Sequence, residues 1–130
     1  MKMLGCLEAG DVAQWLARAS IYAFPARYEP FGLSVLEAAR AECALVLGRV
    51  PSLLENWAGV ARFVDPEDPL ELRRAILDLI VDERSRRRMA RAAQLRARSF
   101  RASAMAGEYA RVYGELTTAP LSQEVVPCAS

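Results

Sequence analysis

Histidine is absent from the 130 residues, which removes the commonest general base of enzyme chemistry and the commonest nitrogen ligand for metals. Any histidine-dependent chemistry would need another chain or a further segment. Cysteine is scarce: Cys6, Cys43 and Cys128 are odd in number and far apart, which argues against a disulfide framework or a closely spaced metal motif and favours a reducing, cytoplasmic setting. Charge of one sign is lacking as well. Seventeen Lys and Arg face sixteen Asp and Glu, a net +1, so there is no bulk attraction to nucleic acid or anionic lipid, and any anion site must be local. No apolar run reaches the roughly 20 residues that span a bilayer, and the apolar start at Met3 to Leu7 meets Glu8 too soon for a signal peptide. Membrane contact, where it occurs, is expected to be peripheral. Repeats at solenoid spacing are missing too.

What is present is a regular alternation. Val12, Trp15, Leu16 and Ala19 recur at helical spacing behind Asp11, an expected cap. Ile21–Phe24 is continuously apolar and stopped by Pro25, as expected of a strand buried on both faces. A helix from Leu33 to Ala41, a buried strand Ala44–Leu47 ended by Gly48, a helical turn at Leu53–Trp57 and a strand Ala61–Val64 follow. Helix and strand in alternation predict an α/β fold: a Rossmann-like parallel sheet with flanking helices. Asp65-Pro66-Glu67-Asp68-Pro69 reads as a helix start, with Leu72, Ile76, Leu79 and Ile80 as the buried face beyond it. Asp82 opens an arginine-rich helix whose basic face reads as solvated, and Met105, Tyr109, Val112 and Tyr113 mark a last helix. One partial domain is expected over residues 1–116, with Met3-Leu4-Gly5 a remnant of an earlier strand, and a disordered tail over 117–130.

The informative stretch is Arg27-Tyr28-Glu29-Pro30-Phe31-Gly32-Leu33-Ser34-Val35-Leu36-Glu37-Ala38, which leaves the carboxyl end of a strand and enters a helix. Open α/β sheets bind ligands there. Gly32 admits a ligand close to the backbone, and the N–H groups of the following turn offer partial positive charge to an anion such as a diphosphate. Glu29 and Glu37 flank those amides, and each carboxylate can hold sugar hydroxyls through charge-assisted hydrogen bonds. Ser34-Val35-Leu36-Glu37 is also a capping box, in which Ser34 and Glu37 would satisfy each other's exposed N–H groups.

Glu29 and Glu37 enclose seven residues, and this spacing resembles the E-x7-E motif of the retaining GT-B glycosyltransferases, group 1 or family 4. Glu-Pro-Phe-Gly-Leu-Ser-Val-Leu-Glu-Ala is close to the family's wording. Val50-Pro51-Ser52-Leu53-Leu54-Glu55 and Phe63-Val64-Asp65-Pro66-Glu67-Asp68-Pro69 resemble its next two landmarks, and the similarity extends from about Leu4 to Leu116. Two departures stand out. The family's Cys-Gly-x-Pro-Val turn is replaced by Glu42-Cys43-Ala44-Leu45-Val46, and Arg49-Val50-Pro51-Ser52 stands where a Gly-Gly pair is usual.

The resemblance implies part of the C-terminal domain of a GT-B fold, in an enzyme that moves a hexose from a nucleotide diphosphate to an acceptor with retained configuration. In that reading Glu29 contacts the donor sugar as the catalytic residue. Glu37 binds the ribose, and the amides of Phe31, Gly32, Leu33 and Ser34 reach the diphosphate and sugar. No metal and no cofactor is expected, the sugar nucleotide being substrate; polysaccharide assembly is a family-level expectation. The acceptor, a glycan, lipid or small molecule, and further catalytic groups would belong to an N-terminal domain, without which the chain is expected to be inactive. The alternative is a non-catalytic nucleotide-binding or interaction module that keeps the fold. A purely structural helical protein is a third reading, and none of the three implies nucleic acid as a partner.

Overall fold

The computed structural model describes residues 3–118. They group into two compact units that divide between Ser99 and Phe100. The first unit contains helix α1 (Ala9–Arg18), strand β1 (Ile21–Phe24), α2 (Leu33–Arg40), β2 (Ala44–Gly48), α3 (Pro51–Trp57), β3 (Arg62–Val64), α4 (Pro69–Val81) and α5 (Glu83–Ala97). The second contains α6 (Ala102–Thr118), which runs past the boundary expected at Leu116. The rest of the tail, for which disorder was expected, lies outside the described residues.

The three strands form one parallel sheet in the order β1-β2-β3, with Ile21 opposite Ala44 and Val46 opposite Arg62. This is the small α/β sheet that the alternation predicts. All five residues of β2 are buried. Ala44 and Val46 join Val64, Ala75, Leu79 and Ala90 in a core cluster, and Leu45 and Leu47, which point the other way along the pleat, are equally inaccessible. β1 departs from the expectation of burial on both faces: Ile21, Tyr22 and Phe24 are half-buried and Ala23 is exposed. It has one strand neighbour, β2, among the described residues, whereas β2 lies between two.

Local chemistry sets the helix ends. α1 begins at Ala9 after Glu8, so Asp11 sits inside the first turn, where its charge favours the dipole, instead of capping it. Asp68 caps α4, its Oδ1 accepting the N–H of Leu70 at 2.8 Å and of Glu71 at 3.0 Å. On α4, Leu72, Ala75, Ile76 and Leu79 form the packed face, while Ile80 is 55% exposed, contrary to expectation. It lies about 80° round the helix from Leu72, at the margin of that face.

α2 ends in a Schellman turn: Cys43 N–H reaches Ala38 O at 3.0 Å and Glu42 N–H reaches Ala39 O at 3.1 Å. Glu42 holds φ +64°, the left-handed conformation that glycine usually supplies. The arginine-rich α5 buries alanines, Ala90, Ala93 and Ala97. Several of its polar side chains cap other helices: Arg86 Nη1 donates to Leu79 O at 2.8 Å, Gln94 Nε2 to Arg40 O at 3.3 Å, and Arg96 Nε to Asn56 O at 3.0 Å.

Candidate functional site

The carboxyl end of β1 feeds a loop, residues 25–32, that delivers Glu29 to the amino end of α2. Pro30 biases Glu29 to an extended backbone. Gly32, at φ +85°, turns the chain into the helix as its N-cap. A Cβ at Gly32 would meet Leu53 Cδ2 and Val35 Cγ2 at 3.1 Å, so both conformation and space favour glycine.

Glu29 folds back on its own loop. Its Oε1 accepts the N–H of Phe31 at 3.1 Å and of Gly32 at 2.8 Å. These are two of the amides expected to face a ligand. The next amides stay available by the geometry of the helix: the first intrahelical bond is Leu36 N–H to Gly32 O, at 3.0 Å, which leaves the N–H groups of Leu33 and Ser34 without an intrahelical acceptor.

The expected capping box does not form. Gly32 is the N-cap of α2 and no side chain caps the helix, so Ser34 lies within the first turn. Its side chain is hydrogen-bonded instead to the phenol of Tyr22. Burial raises the Tyr22 pKa above its ordinary value; the Ser34 bond opposes the rise, and the charges of Glu37 and Glu29 add to it. Tyr22 thus lies within hydrogen-bond reach of Ser34 and within electrostatic range of Glu37 and Glu29. Phe31 and Leu33 are exposed at 38% and 69% of their surfaces. Glu37 is also exposed and reaches a cavity of about 460 Å³ between α1 and α2, bordered by Val12, Ala13, Leu16 and Arg40.

Two residues at the site were not singled out from the sequence. Tyr22 sits in a run read simply as apolar; its signal was the phenolic hydroxyl, which needs a partner when half-buried. Ser52, in the first turn of α3, donates to Glu29 O across a separation of 23 residues, and no local pattern announces such a bond. Two ion pairs lie further along the same edge of the sheet, Arg27 Nε to Glu67 Oε1 at 2.7 Å and Arg49 Nη2 to Glu71 Oε1 at 3.4 Å. Glu71 Oε2 also accepts the N–H of Asp65 at 2.6 Å. Among the described residues, no group of three or more acidic or cysteine side chains is arranged to hold a metal ion.

The comparisons with known proteins agree with this architecture. The family model for glycosyl transferases group 1 matches residues 1–96. Glycogen synthases from two Mycobacterium tuberculosis strains, CDC 1551 / Oshkosh and H37Rv, are each 33% identical over 117 residues, covering 86% of this chain and 28% of the relative. The chain therefore spans under a third of the length of these relatives. Among solved structures, a sucrose-phosphate synthase from Thermosynechococcus elongatus superposes with a TM-score of 0.80 at 24% identity, over 89% of this chain and 30% of the other; it is similar in fold, that of a GT-B glycosyltransferase. With its parallel sheet, its strand-to-helix loop and a family match over most of its length, the chain belongs to the glycosyl transferases group 1 family.

Proposed function

We propose that the chain forms the donor side of a retaining glycosyltransferase, holding a nucleotide-diphosphate sugar at the carboxyl end of β1 for transfer to an acceptor bound by a further domain. One observation carries the reading: the Glu29 carboxylate holds the Phe31 and Gly32 amides, beside the Leu33 and Ser34 amides that the amino end of α2 leaves without an intrahelical acceptor. That is the position at which open α/β sheets take ligands. The name of the glycogen synthase relatives supports sugar transfer of the hexosyl type.

The amides of Leu33 and Ser34 would accept the diphosphate, favoured by the helix dipole. Glu37 would hold the ribose hydroxyls. Glu29 would leave Phe31 and Gly32 and turn its carboxylate to a sugar hydroxyl, releasing two further amides to the donor as it moves. The exchange conserves hydrogen bonds: each amide gives up a carboxylate for a phosphate or sugar oxygen, and the carboxylate gains hydroxyl donors.

The test is a titration of the folded chain with UDP, GDP and ADP, followed by amide NMR, with Glu37→Ala as comparison. Shifts concentrated at Phe31 to Ser34 and weakened by Glu37→Ala are expected. No response to any of the three nucleotides in a folded sample would refute donor binding and favour a module that keeps the fold without the activity.

A further inference from the structure

The loop carrying Glu29 is gripped by one distant segment, Gly48–Leu53. A Cβ on Gly48 would lie 2.3 Å from the Ala26 carbonyl oxygen, so the two backbones touch. Leu53 packs under Gly32. Between them, Ser52 Oγ donates to the Glu29 carbonyl oxygen.

We infer that Ser52 is a positioning residue for Glu29, setting the peptide from which the carboxylate swings; the inference rests on the donor-binding role proposed for Glu29. The Glu29–Pro30 peptide has no N–H, because residue 30 is proline. Its carbonyl is therefore its one hydrogen-bonding group. Proline also confines Glu29 to the extended region. A donor on that carbonyl fixes the plane of the peptide, and with it the direction in which the Glu29 side chain leaves the backbone.

Ser52 does nothing comparable for its own helix. Val50 is the N-cap of α3, no side chain caps that helix, and Pro51 occupies its first turn. Alanine would serve α3 at least as well as serine by intrinsic propensity. The hydroxyl is explained by the loop. Ser52 thus gives this chain an anchor for the catalytic candidate.

The experiment compares Ser52→Ala, Ser52→Thr and Glu29→Gln in the full chain, reading the Phe31 and Gly32 amide resonances, thermal stability and UDP, GDP or ADP affinity. Loss of one neutral hydrogen bond corresponds to about a fivefold change in an equilibrium. Ser52→Ala is expected to stay folded, move the Phe31 and Gly32 amides toward their positions in Glu29→Gln, and weaken nucleotide affinity about fivefold. Ser52→Thr, which keeps the hydroxyl, should restore the wild-type amides. Unmoved amides in folded Ser52→Ala would overturn the inference. Should that variant unfold, Ser52→Cys, with its weaker donor, is read at the same two amides, and an unshifted spectrum there also overturns it. A wild-type chain that ignores all three nucleotides would defeat the donor-binding reading, while the amide comparison would still decide whether Ser52 orients Glu29.

Discussion

The Glu29 carboxylate accepts the Gly32 N–H at 2.8 Å, so the acid expected to meet a sugar and an amide expected to meet the donor are already bonded to each other. The bond satisfies a buried glycine's donor and gives the carboxylate a fixed place. A donor must break the pairing, which makes Glu29 part of the binding equilibrium as well as of the proposed chemistry.

Glu29→Gln should therefore separate the two roles. With an acceptor-side domain supplied in trans, turnover is expected to fall roughly a hundredfold or more, the range seen when a transition-state contact is removed. Nucleotide affinity should change far less, because the sugar contact that is weakened is offset by a looser hold of the neutral glutamine on the two amides that the donor must displace. Kinetics beside calorimetry would check this, and unchanged turnover would remove Glu29 from the reaction.

Glu37→Ala should act on binding. Losing a charged acceptor of hydroxyl bonds costs about tenfold or more in dissociation constant. The loss should be absent for inorganic pyrophosphate, which has no ribose; equal weakening of both probes would count against the ribose assignment.

Gly48→Ala should destabilise the first unit by about 3 kcal/mol, near the upper end for overpacking, because its Cβ would meet backbone atoms of Ala26 that have no rotamer to change. Urea denaturation measures it. A loss within experimental error would mean that the contact relaxes freely.

At Glu42 the sign reverses. The residue holds φ +64° with its side chain exposed, so Glu42→Gly should relieve strain and stabilise the chain by about 1 kcal/mol. The thermal midpoint should rise.

Alkaline pH should weaken the fold through Tyr22 and Cys43. Burial lifts the Tyr22 phenol above 10.0 and the Cys43 thiol above 9.0. The folded state therefore favours the protonated forms. The unfolded chain releases these protons first, so their contribution is complete below about pH 9 and is lost as pH rises through the folded values. Urea midpoints measured from pH 8 to 11 should fall, and Tyr22→Phe should flatten the part of the decline above pH 10.

Much of the fold is legible in the residues. Ala44–Leu47 reads as a buried strand because apolarity and burial coincide when a strand has two neighbours, and Asp68 before Pro69 reads as a helix start because a cap is local chemistry. Ile21–Phe24 has the same apolar pattern yet is half-buried, since the number of neighbouring strands is a property of the whole sheet. At the candidate site, the spacing singles out Glu29, Gly32, Ser34 and Glu37 as candidates. It does not give what their side chains do: Ser34 and Glu37 have the pattern of a capping box, but Gly32 starts the helix two residues earlier and Tyr22 takes the Ser34 hydroxyl. Ser52 was hidden because its partner is 23 residues away.

The bonds from Arg86, Gln94 and Arg96 to carbonyls of Leu79, Arg40 and Asn56 give α5 a consequence for how the unit comes apart. Each ends at a neutral carbonyl, so these ties do not depend on a counter-charge that added salt would screen as it screens exposed ion pairs. They also splice the trailing ends of three other helices onto one rod. Peeling that rod away would unravel all three at once, so amides in α2, α3 and α4 are expected to exchange with solvent as one cooperative block.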